Sequence, residues 1–417
     1  MTSFQELYER LVKASFEEKG LDEHPSTRKD PWEQHQVDCL MHPERHAPVI
    51  RIGDCVCTEQ EKKICAGQCQ FMALFQDSKG DISIDPERCA GCGDCIEQCR
   101  AKKLTESKDI LPVLHAVYRA DAPVYAMIAP AFVNQFTSGV GSSRLRSAFK
   151  HLGFTEMVEV ALFADILTLK EALEFDKNII HEEDFQLTSC CCPLWIAMIR
   201  KVYHVLIPHV PGSVSPMVAC GRAIKALHPK AITVFIGPCI AKKAEAREKD
   251  IADAVDFVLT FQEAQDMFRF ARIDPAALPE DEWDHSSRSG RIYAATGGVS
   301  EAVQQTVERL NPNRTITVHT EQADGVPACK AMLSDILNGK ITKNFYEGMG
   351  CVGGCVGGPK VLIPMEEGRE NVYSYGAEAI YPTPIDNPFV IELLHQLGFD
   401  TVEQLLEESD IFTRKFE

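Results

Sequence analysis

Nowhere in its 417 residues does the sequence sustain the ~18 consecutive apolar positions that a membrane-spanning helix needs, so no membrane span is expected. The opening stretch MTSFQELYERLVKASFEEKG lacks a basic segment followed by an apolar one. It carries acidic residues in an amphipathic pattern, which argues against a secretory leader and for a cytoplasmic protein. Aromatic residues are sparse, at 8%, and positive charge is in deficit: 43 Lys and Arg stand against 61 Asp and Glu, a formal net charge of -18. Such a surface repels phosphates and anionic lipid, so nucleic acid is excluded as a general partner. No internal repeat is visible. A hydrophobic content of 45% over this length supports a large core shared among two or three domains.

What is abundant is cysteine, with 17 residues. In a chain with no leader these thiols are expected to stay reduced and to bind metal, rather than to pair as disulfides. Eight of them fall between residues 51 and 105. The sharpest pattern is Cys89-x2-Cys92-x2-Cys95-x3-Cys99, in which three close thiolates fit the corners of one iron-sulfur cubane and the fourth reaches a neighbouring cluster. Gly91 and Gly93 permit the tight backbone this requires. Upstream, Cys55, Cys57, Cys65 and Cys69 are less regular, but Cys65-x3-Cys69 repeats the ending of the downstream motif. Exchange of fourth ligands then gives two 4Fe-4S clusters, one on Cys55, Cys57, Cys65 and Cys99 and the other on Cys89, Cys92, Cys95 and Cys69. In this the segment resembles the domain of two-cluster ferredoxins. So small a segment would draw folding energy from metal ligation, and two adjacent clusters make an electron wire.

Around it the chain divides into residues 1–50, a helical and polar segment; 51–110, the small α+β ferredoxin-like domain; 120–362, the main body; and 363–417, a helical tail lying on its surface. A helix is expected over Phe4–Lys19. His35, Cys39, His42 and His46 crowd together beyond it; their spacing could hold a metal, but the preferred reading is chance proximity in a polar linker. From residue 120 the texture changes to buried strands followed by helices, as in APVYAMIAPAF with SRLRSAFKHLG, AITVFIGPC, DFVLTFQEAQDMF and GRIYAATGGVSEAVQQTVERL. This predicts a parallel α/β body with its chemistry at the strand C-terminal ends.

The other cysteines are scattered through that body: Cys190, Cys191 and Cys192 in TSCCCPLW, Cys220, Cys239 in IGPCIAKKAEA, Cys329, and Cys351 and Cys355 in GMGCVGGCVGG. Thiols beside proline or between glycines are unlike core cysteines. On the residues alone, loops converging to complete an interior cubane and separate, unrelated thiols stand about even.

Taken together, TSCCCPLW at 188–195, PCIAKKAE at 238–245 and EGMGCVGGCVGG at 347–358 resemble, in order, the three cluster-binding signatures of the catalytic large subunit of iron-only hydrogenases. APA at 129–131, VSP at 214–216 and ATGGVSEA at 295–302 match its flanking features. The resemblance implies a catalytic fold with two α/β lobes around a buried cluster, and a tail like the family's small subunit. It implies an H-cluster, a 4Fe-4S cubane on Cys192, Cys239, Cys351 and Cys355, with Cys355 bridging to a diiron subsite that bears CO, cyanide and an azadithiolate. The implied reaction is the reversible reduction of protons to H2, with a ferredoxin-like electron carrier as partner and dedicated maturation proteins supplying the diiron unit.

The same resemblance implies a proton relay from Cys191 through Glu171 and Glu174, with Ser213 or Ser215 bridging, where the residues alone would read as a solvated helix edge. It implies that Lys242 hydrogen-bonds a cyanide and that Met349 packs beside the diiron unit; on the residues themselves, Glu245 is expected to pair with Lys242 and Lys243 to face solvent. Departures are the additional Cys190, Gly237 in place of a methionine, Met217 in place of a glutamine, and GGPKV ending the third signature; the triple-cysteine signature resembles a divergent subgroup of the family. The alternatives are a hydrogen or redox sensor and a non-catalytic relative of the cytosolic iron-sulfur assembly proteins.

Overall fold

The computed structural model describes residues 3–21, 30–188, 191–283 and 285–416. Four parallel strands make the larger sheet, in the order Glu156–Glu159, Val124–Ile128, Ile232–Gly237 and Phe257–Thr260. Val124–Ile128 and Ile232–Gly237 lie in the middle and are apolar along nearly their whole length, because helices cover both faces of a parallel sheet. The expected strand-then-helix units are present. Phe257–Thr260 passes directly into the helix Phe261–Ala271 through a reciprocal cap: Thr260 Oγ1 accepts from the Glu263 amide at 3.1 Å, and Glu263 Oε2 accepts from the Thr260 amide at 2.8 Å.

A second parallel sheet orders Thr320–Asp324, Phe345–Met349 and the two-residue strand Gln186–Leu187. Every residue of Phe345–Met349 is buried. Parallel strands send their loops out at the C-terminal ends, and three of these ends lead to cysteines. Gln186–Leu187 precedes Cys191 and Cys192, Ile232–Gly237 precedes Cys239, and Phe345–Met349 precedes Cys351. Ser189 and Cys190, the additional cysteine of the first signature, lie outside the described residues.

GRIYAAT, read as a strand, forms instead the helix Arg288–Arg291 and the 3-10 turn Ile292–Ala294. The amides of Ser287 and Gly290 both donate to the buried Asp165 carboxylate, at 2.6 and 2.8 Å, which satisfies N–H groups at the start of the helix and favours it over a strand.

The N-terminal helix Phe4–Glu18 is capped by Ser3 and ends at Lys19 in the left-handed region. It buries Phe4, Leu7, Tyr8, Leu11 and Val12 in the core of the main body, and Tyr8 donates to Asp266 at 2.9 Å. The stretch read as a linker holds the helix Pro31–Met41, with Asp30 capping it and Pro31 in its first turn; Val37, Cys39 and Leu40 join the same core. Two antiparallel pairs, Val49–Arg51 with Leu104–Glu106 and Leu74–Gln76 with Ile82–Ile84, frame the eight-cysteine segment along with the helices Glu59–Gly67 and Asp94–Glu97. Its own core is small, Val49, Leu74, Ile82 and Leu104, with cysteines packed against it. The tail forms the helices Met365–Ala377 and Pro388–Gln396 and reaches the main core through Val372, Val390, Leu394 and Phe412. Among the described residues no helix is long and apolar enough to cross a membrane.

Candidate active site

Cys192, Cys239, Cys351 and Cys355 converge from the three strand ends. Burial pushes the Cys239 thiol up to about 11, with Cys192 adding to it and Lys242 opposing. Cys355 is pushed up to about 12 by burial, then by Cys239 and Cys192, again against Lys242. Cys351 is driven well above the usual thiol range by burial, then by Cys239, Cys192 and Cys355. Thiols that bias one another in this way share one neighbourhood. The Gly350 amide donates to Cys192 Sγ at 3.1 Å.

The glycines of the third signature are dictated by crowding. A Cβ on Gly348 would lie 2.0 Å from the Trp195 ring, and one on Gly357 would lie 1.9 Å from the Val352 carbonyl oxygen. Four soft thiols, close backbone and an apolar shell form a donor set suited to an iron-sulfur cubane.

Lys242 is buried and donates to Glu245 Oε2 at 2.6 Å, the partner expected of it. Burial lowers its pKa, but Glu245, Cys239 and Cys355 outweigh that and keep it a cation beside the thiols. Lys243, expected in solvent, is 1% exposed: its ammonium reaches Asp109 and Glu263, each at 3.1 Å, and donates to the Val258 carbonyl at 2.6 Å. The short helix Ala241–Glu245 turns both lysines inward, one to the cysteines and one to the sheet.

Cys191 Sγ lies 4.0 Å from Met349 Sδ, and Met349 is buried. Glu171 and Glu174 sit on the helix Ala161–Asn178; Glu171 is fully buried and the Glu174 side chain nearly so, which removes the solvated-edge reading. Burial raises Glu174, while the Lys170 ammonium, 2.6 Å from its Oε1, and the Ser213 hydroxyl pull the other way. Ser213 is buried near Glu174, but among the described residues its Oγ and Glu174 Oε2 each lack a hydrogen-bond partner, so the two lie close without bonding. Ser215 caps the helix Pro216–Leu227, accepting from the Val218 amide at 3.3 Å.

Two groups near the site had not been singled out. Glu347, the first residue of the third signature, is fully buried, accepts from the amides of Gly297 and Ser300 at 2.8 and 2.7 Å, and adds negative potential at Cys355. Lys170 was foreshadowed only by its position four residues before Glu174 on a helix.

All eight cysteines between residues 51 and 105 line one cavity of about 530 Å³. They fall into two neighbourhoods. Cys57, held up at about 11 chiefly by hydrogen bonding with the Cys55 thiol, also feels Cys99; Cys65, raised by burial, feels Cys99 and Cys55 before Cys69. Cys92, raised by burial to about 12, feels Cys89 and Cys69, and Cys95 feels Cys92, Cys89 and Cys69 before Cys65. The second neighbourhood abuts the main body: Cys69, Ala90 and Cys92 pack in the same apolar cluster as Ala241, Cys239 and Cys192. At the seam Gly91 has φ +70°, and a Cβ there would lie 2.8 Å from Ala241 Cα.

Residues 122–359 match the family described as iron only hydrogenase large subunit, C-terminal domain, and the chain belongs to that family. It is 27% identical to iron hydrogenase 1 of Clostridium pasteurianum over 312 residues, which cover 65% of this chain and 54% of that protein. It is 25% identical to the NADP-reducing hydrogenase subunit HndD of Solidesulfovibrio fructosivorans over 373 residues, 75% of this chain and 63% of that protein. The chain therefore spans less than two thirds of the length of either relative. The nuclear prelamin A recognition factor of Mus musculus is 23% identical over 337 residues, 67% of this chain and 73% of that protein. A solved structure of the hydrogenase HydA1 from Chlamydomonas reinhardtii superposes with a TM-score of 0.61 at 21% identity, covering 74% of this chain and 98% of that one, a likeness of fold.

Proposed function

We propose that this chain catalyses the reversible reduction of protons to H2, 2 H+ + 2 e- = H2, as a hydrogenase of the divergent subgroup with the TSCCCP signature. The observation that carries this reading is the convergence of Cys192, Cys239, Cys351 and Cys355 at three strand ends, beside the buried Lys242 ammonium.

In this reading Cys192, Cys239, Cys351 and Cys355 hold the cubane, and Cys355 also holds the diiron subsite. When bound, that H-cluster supplies the redox chemistry joining two electrons and two protons. The chain's own residues do the rest. The Lys242 ammonium neutralises anionic ligands in a dry pocket, where an unpaired negative charge would be costly. Met349 fills space with a soft thioether. Cys191 holds a proton at its sulfur and passes it by way of Glu171, Ser213 and Glu174; the Glu174 carboxyl, raised by burial, holds its proton more readily than a free one. Trp195 and Leu194, packed against the third signature, exclude water.

The eight-cysteine segment acts as an accessory ferredoxin-like domain with two 4Fe-4S clusters, on Cys55, Cys57, Cys65 and Cys99 and on Cys69, Cys89, Cys92 and Cys95. Cys69 and Cys92, which pack against the main body, would hold the second of these on that side, where it would supply electron transfer from a ferredoxin-like carrier. Cytoplasmic maturation proteins would install the diiron unit.

A second reading, a cubane-only relative without catalysis, has in its favour the match to iron-sulfur assembly factors such as that of Eremothecium gossypii, 29% identical over 262 residues. The test is H2 evolution from reduced methyl viologen by anaerobically matured protein. Turnover that is lost in Cys355→Ala, at an unchanged content of accessory iron, supports catalysis. An inert protein with full cubane iron, matured in parallel with an active hydrogenase, supports the second reading.

A further inference from the structure

The stretch read as a linker, with its metal-like spacing set aside as chance, brings three donors to one point. A ring nitrogen of His35, a ring nitrogen of His46 and Cys39 Sγ all lie within 4.8 Å of one another. His35 and Cys39 sit one turn apart on the helix Pro31–Met41, and His46 comes from the turn after it, just before the strand Val49–Arg51. His42, the fourth residue of the sequence pattern, points elsewhere, toward Glu44 at 3.6 Å.

Three features mark the trio as more than crowding. His35 Nε2 lies 3.5 Å from Cys39 Sγ. Two ligands at about 2.0–2.1 Å (nitrogen) and about 2.3 Å (sulfur) from a tetrahedral centre are separated by about 3.5 Å, so that edge is already set. His46 Nε2 meets Asp38 Oδ2 at 2.7 Å, which leaves Nδ1 as the nitrogen available to a metal and supplies the carboxylate partner that ligating histidines commonly use to fix ring orientation. His35 and His46 also line an open cavity of about 380 Å³, with Trp32, Arg51 and Ser83 on its other walls, so a coordination position faces space.

We propose that His35, Cys39 and His46 form a mononuclear site for a divalent transition metal of the zinc class, with its fourth position open to the cavity. Two imidazoles and one thiolate match the borderline-soft donors zinc prefers, and the thiolate and the Asp38 carboxylate balance its two positive charges. Binding replaces the contact of His35 Nε2 with the Arg51 carbonyl oxygen, now 3.1 Å. The metal would fasten the helix Pro31–Met41 to the first strand of the eight-cysteine segment, because Arg51 and the cavity wall Ile82–Ile84 belong to that segment.

Anaerobic holoprotein equilibrated with zinc chloride and desalted tests this. Zinc at one ion per chain is expected, with a zinc-edge X-ray absorption spectrum showing one sulfur at ~2.3 Å and the remaining neighbours nitrogen or oxygen. Zinc should be lost in His35→Ala and Cys39→Ser and kept in His42→Ala, with iron and sulfide contents unchanged in all three. Zinc that survives Cys39→Ser, an all-sulfur first shell, no retained zinc, or iron and sulfide falling with the triad would each overturn the proposal. Where a variant does not fold, the spectrum of the unaltered protein decides alone.

Discussion

Glu106 Oε2 lies 2.9 Å from Lys360 Nζ, joining the last strand of the eight-cysteine segment to the loop that carries Cys351 and Cys355. Lys108 contacts the other carboxylate oxygen. Burial raises the Glu106 carboxyl, but Lys108 and Lys360 outweigh it and hold it at about 2, against 4.5 when free. A carboxyl depressed on folding adds stability above its unfolded pKa and loses it as pH falls toward the folded one. Its contribution, on the order of 3 kcal/mol, is therefore complete above pH 4.5 and disappears toward pH 2. Glu106→Gln should unfold at lower denaturant than the parent at neutral pH, with the gap closing as the medium is acidified. A gap independent of pH would contradict the pairing.

Gly91 meets Ala241 at the seam between the eight-cysteine segment and the main body. Gly91→Ala forces both a left-handed alanine and a 2.8 Å approach to Ala241 Cα. A loss of about 1–3 kcal/mol is expected, together with slower ferredoxin-driven H2 evolution as the two parts move apart. Parental stability and rate together would show that the seam is looser than this contact.

Lys170 restrains Glu174. Without its ammonium, burial acts on Glu174 with less opposition, so the carboxyl stays protonated to higher pH. In Lys170→Met the rising limb of the pH profile for H2 oxidation, which needs Glu174 to accept a proton, should move to higher pH, and Lys170→Arg should restore it. An unmoved limb in Lys170→Met removes Glu174 from the proton route.

Cysteines that the cluster assignment leaves out should behave as core residues. Cys220 is fully buried among apolar side chains, and Cys329 donates to the Met349 carbonyl at 3.3 Å. Cys220→Ala should cost about 1 kcal/mol and leave iron and sulfide content intact, whereas Cys239→Ala should lose cubane iron. Iron lost equally in both would place Cys220 among the ligands.

The sequence patterns that survived contact with the fold were those with a hard local cause. Apolar runs such as ITVFIG became buried parallel strands, and DFVLTFQEAQDMF became a strand running into a helix. The four cluster thiols could be listed from the signatures, but their meeting point depends on the strand order of two sheets. Lys243 shows why burial was hidden: its partners Asp109 and Glu263 lie 134 and 20 residues away. Lys360, met as a departure in the third signature, acquires a role only through Glu106. The departure at Gly237 has a steric cause, since a Cβ there would lie 2.7 Å from the Phe235 ring and 3.0 Å from Ala129 Cβ. His35, Cys39 and His46 were visible as a pattern but not as a cluster, because the intervening turn brings His46 back over the helix.

The most direct test of hydrogen chemistry at Cys355 is an infrared spectrum of anaerobically matured protein, taken under inert gas and then under H2. Sharp CO and cyanide bands that shift on adding H2, and that are missing from Cys355→Ala, are the predicted result. No such bands, from a maturation system that activates a known hydrogenase in parallel, would contradict it.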